Sequence, residues 1–306
     1  MAKILTLTLN PALDLTVRLA RLEPGAVNRS EAMLTHAAGK GVNVAQVLAD
    51  LGHHVSVGGF LGDANPQAFD ALIASRGFGD AFVRVPGETR SNIKIAEQDG
   101  RVTDINAPGP LVSEAAQTAL LEMIAKKGAQ FDAVVVAGSL PRGVSPQWFQ
   151  ALLGQLKDLG LKVALDTSGE ALRAGLQAGP WLVKPNTEEL AEALDNATDA
   201  ISRLHQQGVE HVVVSDGAAG VTWYCPGAAL HATPPKVTVA STVGAGDSLL
   251  AGMLHGLLSG DTPEHTLRRA TAIAAMAVTQ IGFGISDDAQ LARLESGVDV
   301  RALTEQ

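Results

Sequence analysis

The chain reads as an α/β protein built on a mostly parallel β-sheet. Three observations predict this. Short apolar runs alternate with longer stretches of helical periodicity along most of the sequence. The short runs are continuously apolar rather than alternating, as strands covered on both faces must be. Gly, Pro and N-cap residues stand where a helix has to start or stop.

In chain order, the predicted strands are Ile4–Leu9, Val55–Phe60, Ala81–Val85, Ala133–Ala137, Lys162–Leu165, Trp181–Val183 and Val212–Ser215. Val42–Leu51 reads as a helix with Val44, Val47, Leu48 and Leu51 on one face and Gly52 as its stop. Ser113 is the expected N-cap of a helix reaching about Lys127. Ser145-Pro146 and Thr262-Pro263 each pair an N-cap with Pro at the first helical position. Leu249, Leu250, Met253, Leu254, Leu257 and Leu258 form one helical stripe. Leu267, Ala270, Ile273, Ala274, Ala277, Val278 and Ile281 form another. Two segments break the alternation. Asn92–Ala96 and Val102–Asn106 flank Gln98-Asp99-Gly100, a hairpin signal, and Leu13–Leu22 reads as extended. They predict a small antiparallel element set into the α/β body, placed to cover a site or to pair with a second subunit.

The 306 residues are 46% apolar, enough for a substantial core. The net charge of −9 argues against a nucleic-acid binder, which needs a basic stripe, and against a membrane-surface protein. The single cysteine, Cys225, excludes an intramolecular disulfide and a cysteine-cluster metal site. The apolar run at the N-terminus is too short and polar for a signal peptide or membrane span, so a cytoplasmic location is expected.

Ser241-Thr-Val-Gly-Ala-Gly-Asp-Ser248 is the most informative segment. Gly244, Ala245 and Gly246 place backbone N–H groups at a helix start, where an anion is held by free donors and the helix dipole. Asp247 in the first turn could take a proton from a hydroxyl attacking phosphorus. The same residues also suit an ordinary glycine turn. His36-Ala-Ala-Gly-Lys-Gly-Val-Asn43 opens a second helix with Gly39, Lys40 and Asn43. It is neither a Walker A loop nor a dinucleotide fingerprint. Lys184-Pro-Asn-Thr-Glu-Glu-Leu190 places Asn186 and Glu189 at a helix start, as a capping box or as holders of a metal-bound water. Ser215-Asp-Gly-Ala-Ala-Gly220 is a nucleotide loop or a hairpin turn. Asp14 could accept sugar hydroxyl hydrogens, and Arg29 and Arg90 could clamp a phosphate. Ser139 lacks the Gly-x-Ser-x-Gly setting of a hydrolase nucleophile, and the eight histidines show no metal-ligand spacing.

Six motifs occur in one order: Leu9-Asn-Pro-Ala-Leu-Asp14, Ala38-Gly-Lys-Gly-Val-Asn43, Gly138-Ser-Leu-Pro141, Lys184-Pro-Asn186 with Glu189, Ser215 to Gly220, and Thr242 to Ser248. Together they resemble the ribokinase-like PfkB carbohydrate kinases over nearly the whole length. His36 to Gly41, Gly58 to Gly62, Gly138 to Pro146, Pro180 to Asn186 and Glu264 to Arg268 are most similar to members acting on fructose 1-phosphate. Ser241-Thr242 stands where many family members have Asp, and the phosphofructokinase-type members share that Ser-Thr.

The resemblance implies a single three-layer α/β/α kinase domain over residues 1–306, with a β-lid from about 11–36 and 88–108 and a homodimer formed through the lid. It implies that ATP with Mg²⁺ lies across Lys184, Asn186, Ser215, Gly217, Gly220, Thr242, Gly244 and Gly246. Asn186 and Glu189 would hold the metal indirectly, through water. The phosphosugar would meet Asp14, Gly39, Asn43, Arg90 and Ser139, with Arg29 and Lys40 as further cations for its phosphate. Asp247 would be the general base, and Gly244, Ala245 and Gly246 the anion hole. The implied reaction takes fructose 1-phosphate and ATP to fructose 1,6-bisphosphate and ADP. Tagatose 6-phosphate and fructose 6-phosphate remain open as substrates, as does a sugar-phosphate sensor on a kinase scaffold. The sensor reading would require loss of the base, and Asp247 is present.

Overall fold

The computed structural model describes residues 1–303. In chain order the elements are β1 (Lys3–Thr8), β2 (Ala12–Leu19), β3 (Ala32–Ala38), α1 (Lys40–Asp50), β4 (His54–Gly62), α2 (Gln67–Arg76), β5 (Gly79–Val85), β6 (Arg90–Glu97), β7 (Val102–Asn106), α3 (Glu114–Lys127) and β8 (Ala133–Ala137). They continue with α4 (Pro146–Asp158), β9 (Lys162–Asp166), α5 (Gly169–Gln177), β10 (Leu182–Val183), α6 (Thr187–Ala193), α7 (Ala200–Gln206), β11 (His211–Ser215), β12 (Val221–Cys225) and β13 (Ala228–Thr233). The last are α8 (Ala245–Ser259), α9 (Pro263–Ala277), α10 (Asp288–Ser296) and β14 (Asp299–Leu303).

The large sheet runs β14-β13-β12-β11-β10-β9-β8-β1-β4-β5. It is parallel from β5 through β11 and antiparallel from β11 to β14. Continuous apolar strands follow from burial on both faces. In β8, Val134 and Val136 pack with Leu120, Ile124, Phe149 and Leu152 of α3 and α4. The alternate residues Val135 and Ala137 pack with Val44, Leu48, Leu250 and Met253 of α1 and α8. The α/β fold class expected from the sequence is therefore observed, with helices on both faces of the sheet and a small separate sheet.

That smaller sheet has the order β3-β2-β6-β7. Its strands supply two faces of opposite character. Leu15 pairs Thr35 and Ile93, Val17 pairs Met33 and Ile95, and Ile93 pairs Ile105, so these side chains share one apolar face. Asp14 pairs His36 and Asn92, and Thr16 pairs Lys94, on the polar face.

The predicted caps form. Ser113, Ser145 and Thr262 accept hydrogen bonds from the N–H groups of Ala116, Trp148 and His265. Three sequence expectations need correction. The small sheet is not wholly antiparallel, because its central strands β2 and β6 run parallel, which hairpin signals within each half cannot show. Ile281 is 74% exposed, because α9 ends at Ala277 with Val278 as its cap, and the apolar stripe runs past the helix. The sheet also extends through β12, β13 and β14, which were not predicted. β12 alternates buried Val221 and Trp223 with half-exposed neighbours over only five positions, and β13 and β14 show no buried alternation, so periodicity has too little to register.

Candidate active site

The C-terminal ends of the parallel strands and the N-termini of α1 and α8 meet in one cleft, where open α/β sheets hold their ligands. Thr8 ends β1, Asp166 ends β9, Lys184 follows β10 and Ser215 ends β11. A parallel bridge between Asn186 and Ser215 carries the last two side by side beyond the sheet.

At the centre lies Asp247, in the first turn of α8 and buried. Asn43 of α1 donates from Nδ2 to its Oδ2 at 2.8 Å. Burial, and then the charge of Asp166, push the Asp247 carboxyl up to about 6; Lys40, the Asn43 hydrogen bond and Lys184 oppose this. A carboxylate tuned this way is still largely ionised at neutral pH, yet basic enough to accept a hydroxyl proton.

Asp166 anchors the cations. Lys40 Nζ lies 3.0 Å from its Oδ1 and Lys184 Nζ 3.2 Å from its Oδ2, and the carboxylate is wholly buried. Burial works against ionisation, but Lys184 and Lys40 outweigh it and hold this carboxyl below the usual range. Lys40 is correspondingly raised: burial disfavours its charge, but the carboxylates of Asp166, Asp247 and Glu189 more than offset it. Sequence reasoning missed Asp166. Its signal was positional, a carboxylate immediately after an apolar parallel strand.

The turn before α8 provides the anion donors. Gly244 caps the helix at φ 82°, and no side chain satisfies the first turn. The first helical bond runs from the Ser248 N–H to the Gly244 carbonyl, which leaves the N–H groups of Gly246 and Asp247 facing the cleft end. A Cβ at position 244 would clash with the Phe283 ring, so glycine is required there twice over. Lys184 Nζ stands 3.2 Å from where a Cβ on Gly246 would be, which puts its ammonium over this turn. Gly39, at φ 134°, opens α1 in the same way and packs against the Thr8 side chain.

Asn186 and Glu189 form a complete capping box. The Glu189 N–H donates to Asn186 Oδ1 at 2.7 Å, and the Asn186 N–H donates to Glu189 Oε2 at 2.9 Å. Among the described residues no group of three or more His, Cys, Asp or Glu side chains could hold a metal. Glu189 still has Oε1 outside the box. That donor set fits a magnesium ion held by water and nucleotide phosphates, not by a protein cage. Gly217 and Gly220 flank a tight turn after Ser215, where the Asp216 N–H donates to the Gly220 carbonyl; Thr242 is exposed before the α8 turn.

The small sheet and two loops bring together a second set of polar groups. Asn92 and Lys94 hold Asp14, at 3.2 Å and 2.8 Å. Arg90 donates to the carbonyls of Ala107 and Asn10, and Asn10 Nδ2 donates to Ser139 Oγ at 3.1 Å. Thr8 Oγ1, Asn10 Oδ1, Asn43 Oδ1, Arg90 Nε and Asn92 Oδ1 are buried without a protein partner. Each unpaired buried group costs about 1–3 kcal/mol, so each calls for a partner that the protein alone does not supply. Arg29 lies in the exposed β2–β3 connection, and no described hydrogen bond or ion pair joins it to this cleft. Lys40 is paired with Asp166, and the Asp247 charge acts on it as well. Lys94, Asn92, Asn10 and Thr8 were not singled out from sequence.

A groove of about 470 Å³ lined by Lys162, Trp181 and His211 lies at the opposite edge, at the start of β9, β10 and β11. It contains none of these groups; the site is located by the convergence of strand ends.

A buried carboxylate beside an open helix N-terminus, with two lysines and several unpartnered polar atoms nearby, is the arrangement a phosphoryl-transfer enzyme needs. Residues 7–290 match the description pfkB family carbohydrate kinase, and the chain belongs to that family. It is 46% identical to 1-phosphofructokinase of Vibrio cholerae, over 98% of this chain and 97% of that protein. It is 45% identical to 1-phosphofructokinase of Escherichia coli K12, over 98% of both. Phosphofructokinase-2 from Escherichia coli, solved in complex with potassium, superposes with a TM-score of 0.88 at 28% identity, over 97% of this chain and 99% of that one. The protein is accordingly a sugar-phosphate kinase, with ATP as its phosphoryl donor. Among the described residues, no helix is long and apolar enough to cross a membrane.

Proposed function

We infer that the protein transfers the γ-phosphoryl group of ATP to the C6 hydroxyl of fructose 1-phosphate, giving fructose 1,6-bisphosphate and ADP. The near full-length likeness to 1-phosphofructokinases carries the substrate assignment. The buried Asp247–Asn43 pair carries the chemistry.

In this reading the C6 hydroxyl lies against Asp247. The carboxylate accepts its proton as the oxygen attacks the γ-phosphorus in line, and the bond to the β–γ bridging oxygen breaks. The N–H groups of Gly246 and Asp247 face the charge that spreads over the transferring group. Lys184 and Lys40, held on either side of Asp166, face it from the sheet. Asn43 keeps the base oriented. Asp14, Gly39, Arg90 and Ser139 line the sugar, while Ser215, Gly217, Gly220 and Thr242 border the nucleotide. Asn186 and Glu189 would hold Mg²⁺ through water; when bound, it supplies charge neutralisation to the nucleotide phosphates.

The apolar face of the small sheet supports a homodimer formed there, with β2, β3, β6 and β7 acting as a lid over the sugar. Met33 and Ile105 are 59% and 53% exposed on that face, a contiguous patch without a partner in the monomer. A cytoplasmic location suits a single free cysteine and these phosphorylated substrates. Phosphorus NMR of a reaction with ATP and fructose 1-phosphate tests the reading. A product phosphorylated at both C1 and C6 supports it, and an unconsumed fructose 1-phosphate resonance overturns it.

A further inference from the structure

A sugar whose C6 hydroxyl meets Asp247 points its C1 phosphate away from the nucleotide, toward the small sheet. The cations of the cleft are unequally free to meet it. Asp166 draws Lys40 and Lys184 to the transfer end. Arg90 gives one N–H from each terminal nitrogen to a backbone carbonyl, which anchors it to the loops, and keeps one N–H on each beside its buried, unpaired Nε. Arg29 is not joined to the cleft.

Lys94 is placed differently. Register puts it on the same face of the small sheet as Asp14, His36 and Asn92. Its Nζ lies 2.8 Å from Asp14 Oδ2, and its side chain keeps 21% exposure against 15% for Asp14. The ammonium has three N–H donors and gives Asp14 one, so two remain for another acceptor. Charge points the same way. An uncompensated Asp14 carboxylate would repel a dianionic substrate, and Lys94 cancels that charge where the sugar enters.

We propose that Lys94 is a specificity-determining residue that reads the phosphate of the sugar substrate. It bonds the phosphate oxygens while remaining paired with Asp14, which is thereby held ready for the sugar hydroxyls. The proposal rests on the fructose 1-phosphate reading. It assigns recognition of the anionic end to the small sheet and separates it from the lysines that face the transferring group.

The test is steady-state kinetics of Lys94→Gln and Lys94→Arg with fructose 1-phosphate and with phosphate-free fructose, at saturating ATP. A lost charge-assisted hydrogen bond to phosphate is expected to raise the KM for fructose 1-phosphate about 10- to 100-fold in Lys94→Gln. The change in kcat should stay within about threefold, and Lys94→Arg should recover most of the loss. The loss of kcat/KM should be at least about tenfold smaller for fructose. An unchanged KM for fructose 1-phosphate, or equal losses on the two sugars, would overturn the proposal, the second by reducing Lys94 to a structural partner of Asp14. Lys94→Thr, compatible with a strand, is the second truncation should Lys94→Gln fail to fold. Turnover of fructose 1-phosphate by the parent enzyme tests the substrate reading separately. If the parent prefers another phosphosugar, the same variant-to-parent ratios are read with that sugar and its phosphate-free form.

Discussion

At the scale of single residues, the account turns on three charges arranged around one buried carboxylate. Asp247→Asn keeps the shape and the contact with Asn43 but removes the base, and kcat is expected to fall about 10²- to 10⁴-fold with nucleotide affinity largely retained. Protonation silences the same group. Because the base must be ionised and its carboxyl is pushed up to about 6, kcat/KM should fall tenfold per pH unit below about pH 6. Asp166 raises Asp247 by its own charge and holds two lysines beside it. Asp166→Asn deletes the repulsion and leaves the cations, so the acid limb of the pH–rate profile should move to lower pH. An acid limb that stays in place or moves up would contradict the electrostatic account. Lys40→Met separates two roles for that lysine. At the transferring phosphoryl group its loss lowers kcat; at the sugar phosphate it would raise the KM for fructose 1-phosphate with kcat kept.

At the scale of elements, α8 is the part that must not move, because it carries both the base and the anion donors. It is fixed against α9 by a close crossing. A Cβ on Gly252 would lie 2.6 Å from the Ala270 Cα, and one on Gly256 would lie 2.5 Å from the Thr266 Oγ1. Gly252→Val therefore overpacks a backbone contact and should cost about 1–3 kcal/mol of stability, read as a lower Tm in thermal unfolding. The sequence showed much of this level. The strands of the parallel region were legible because burial on both faces makes them continuously apolar, and capped helices announced themselves through Ser113, Ser145 and Thr262. The cleft was legible only where a motif is local. Asp247 and the glycines beside it are contiguous. Asp166, in contrast, acquires its meaning from Lys40 and Lys184, which are 126 residues away in one case and come from separate strands and helices. Lys94 looked like any polar strand residue until register set it beside Asp14. Lys40 was legible as a cation but not as a partner of Asp166.

At the scale of the whole molecule, a net charge of −9 coexists with a cleft for two anionic substrates. Local fields decide this, since donors at a helix terminus and a few paired lysines act over distances shorter than the screening length. The small sheet has one polar and one apolar face, so the proposed substrate coverage and the proposed self-association would fall to a single element. Ile105→Asp, on the apolar face, should shift the protein toward monomer in light scattering coupled to size exclusion. A dimer of unchanged stability would move the interface elsewhere. The central claim is that this cleft phosphorylates fructose 1-phosphate. An ADP-release assay with fructose 1-phosphate, fructose 6-phosphate and tagatose 6-phosphate in parallel tests it most directly. The account predicts the highest kcat/KM for fructose 1-phosphate, and a ranking that places it below either competitor would contradict it.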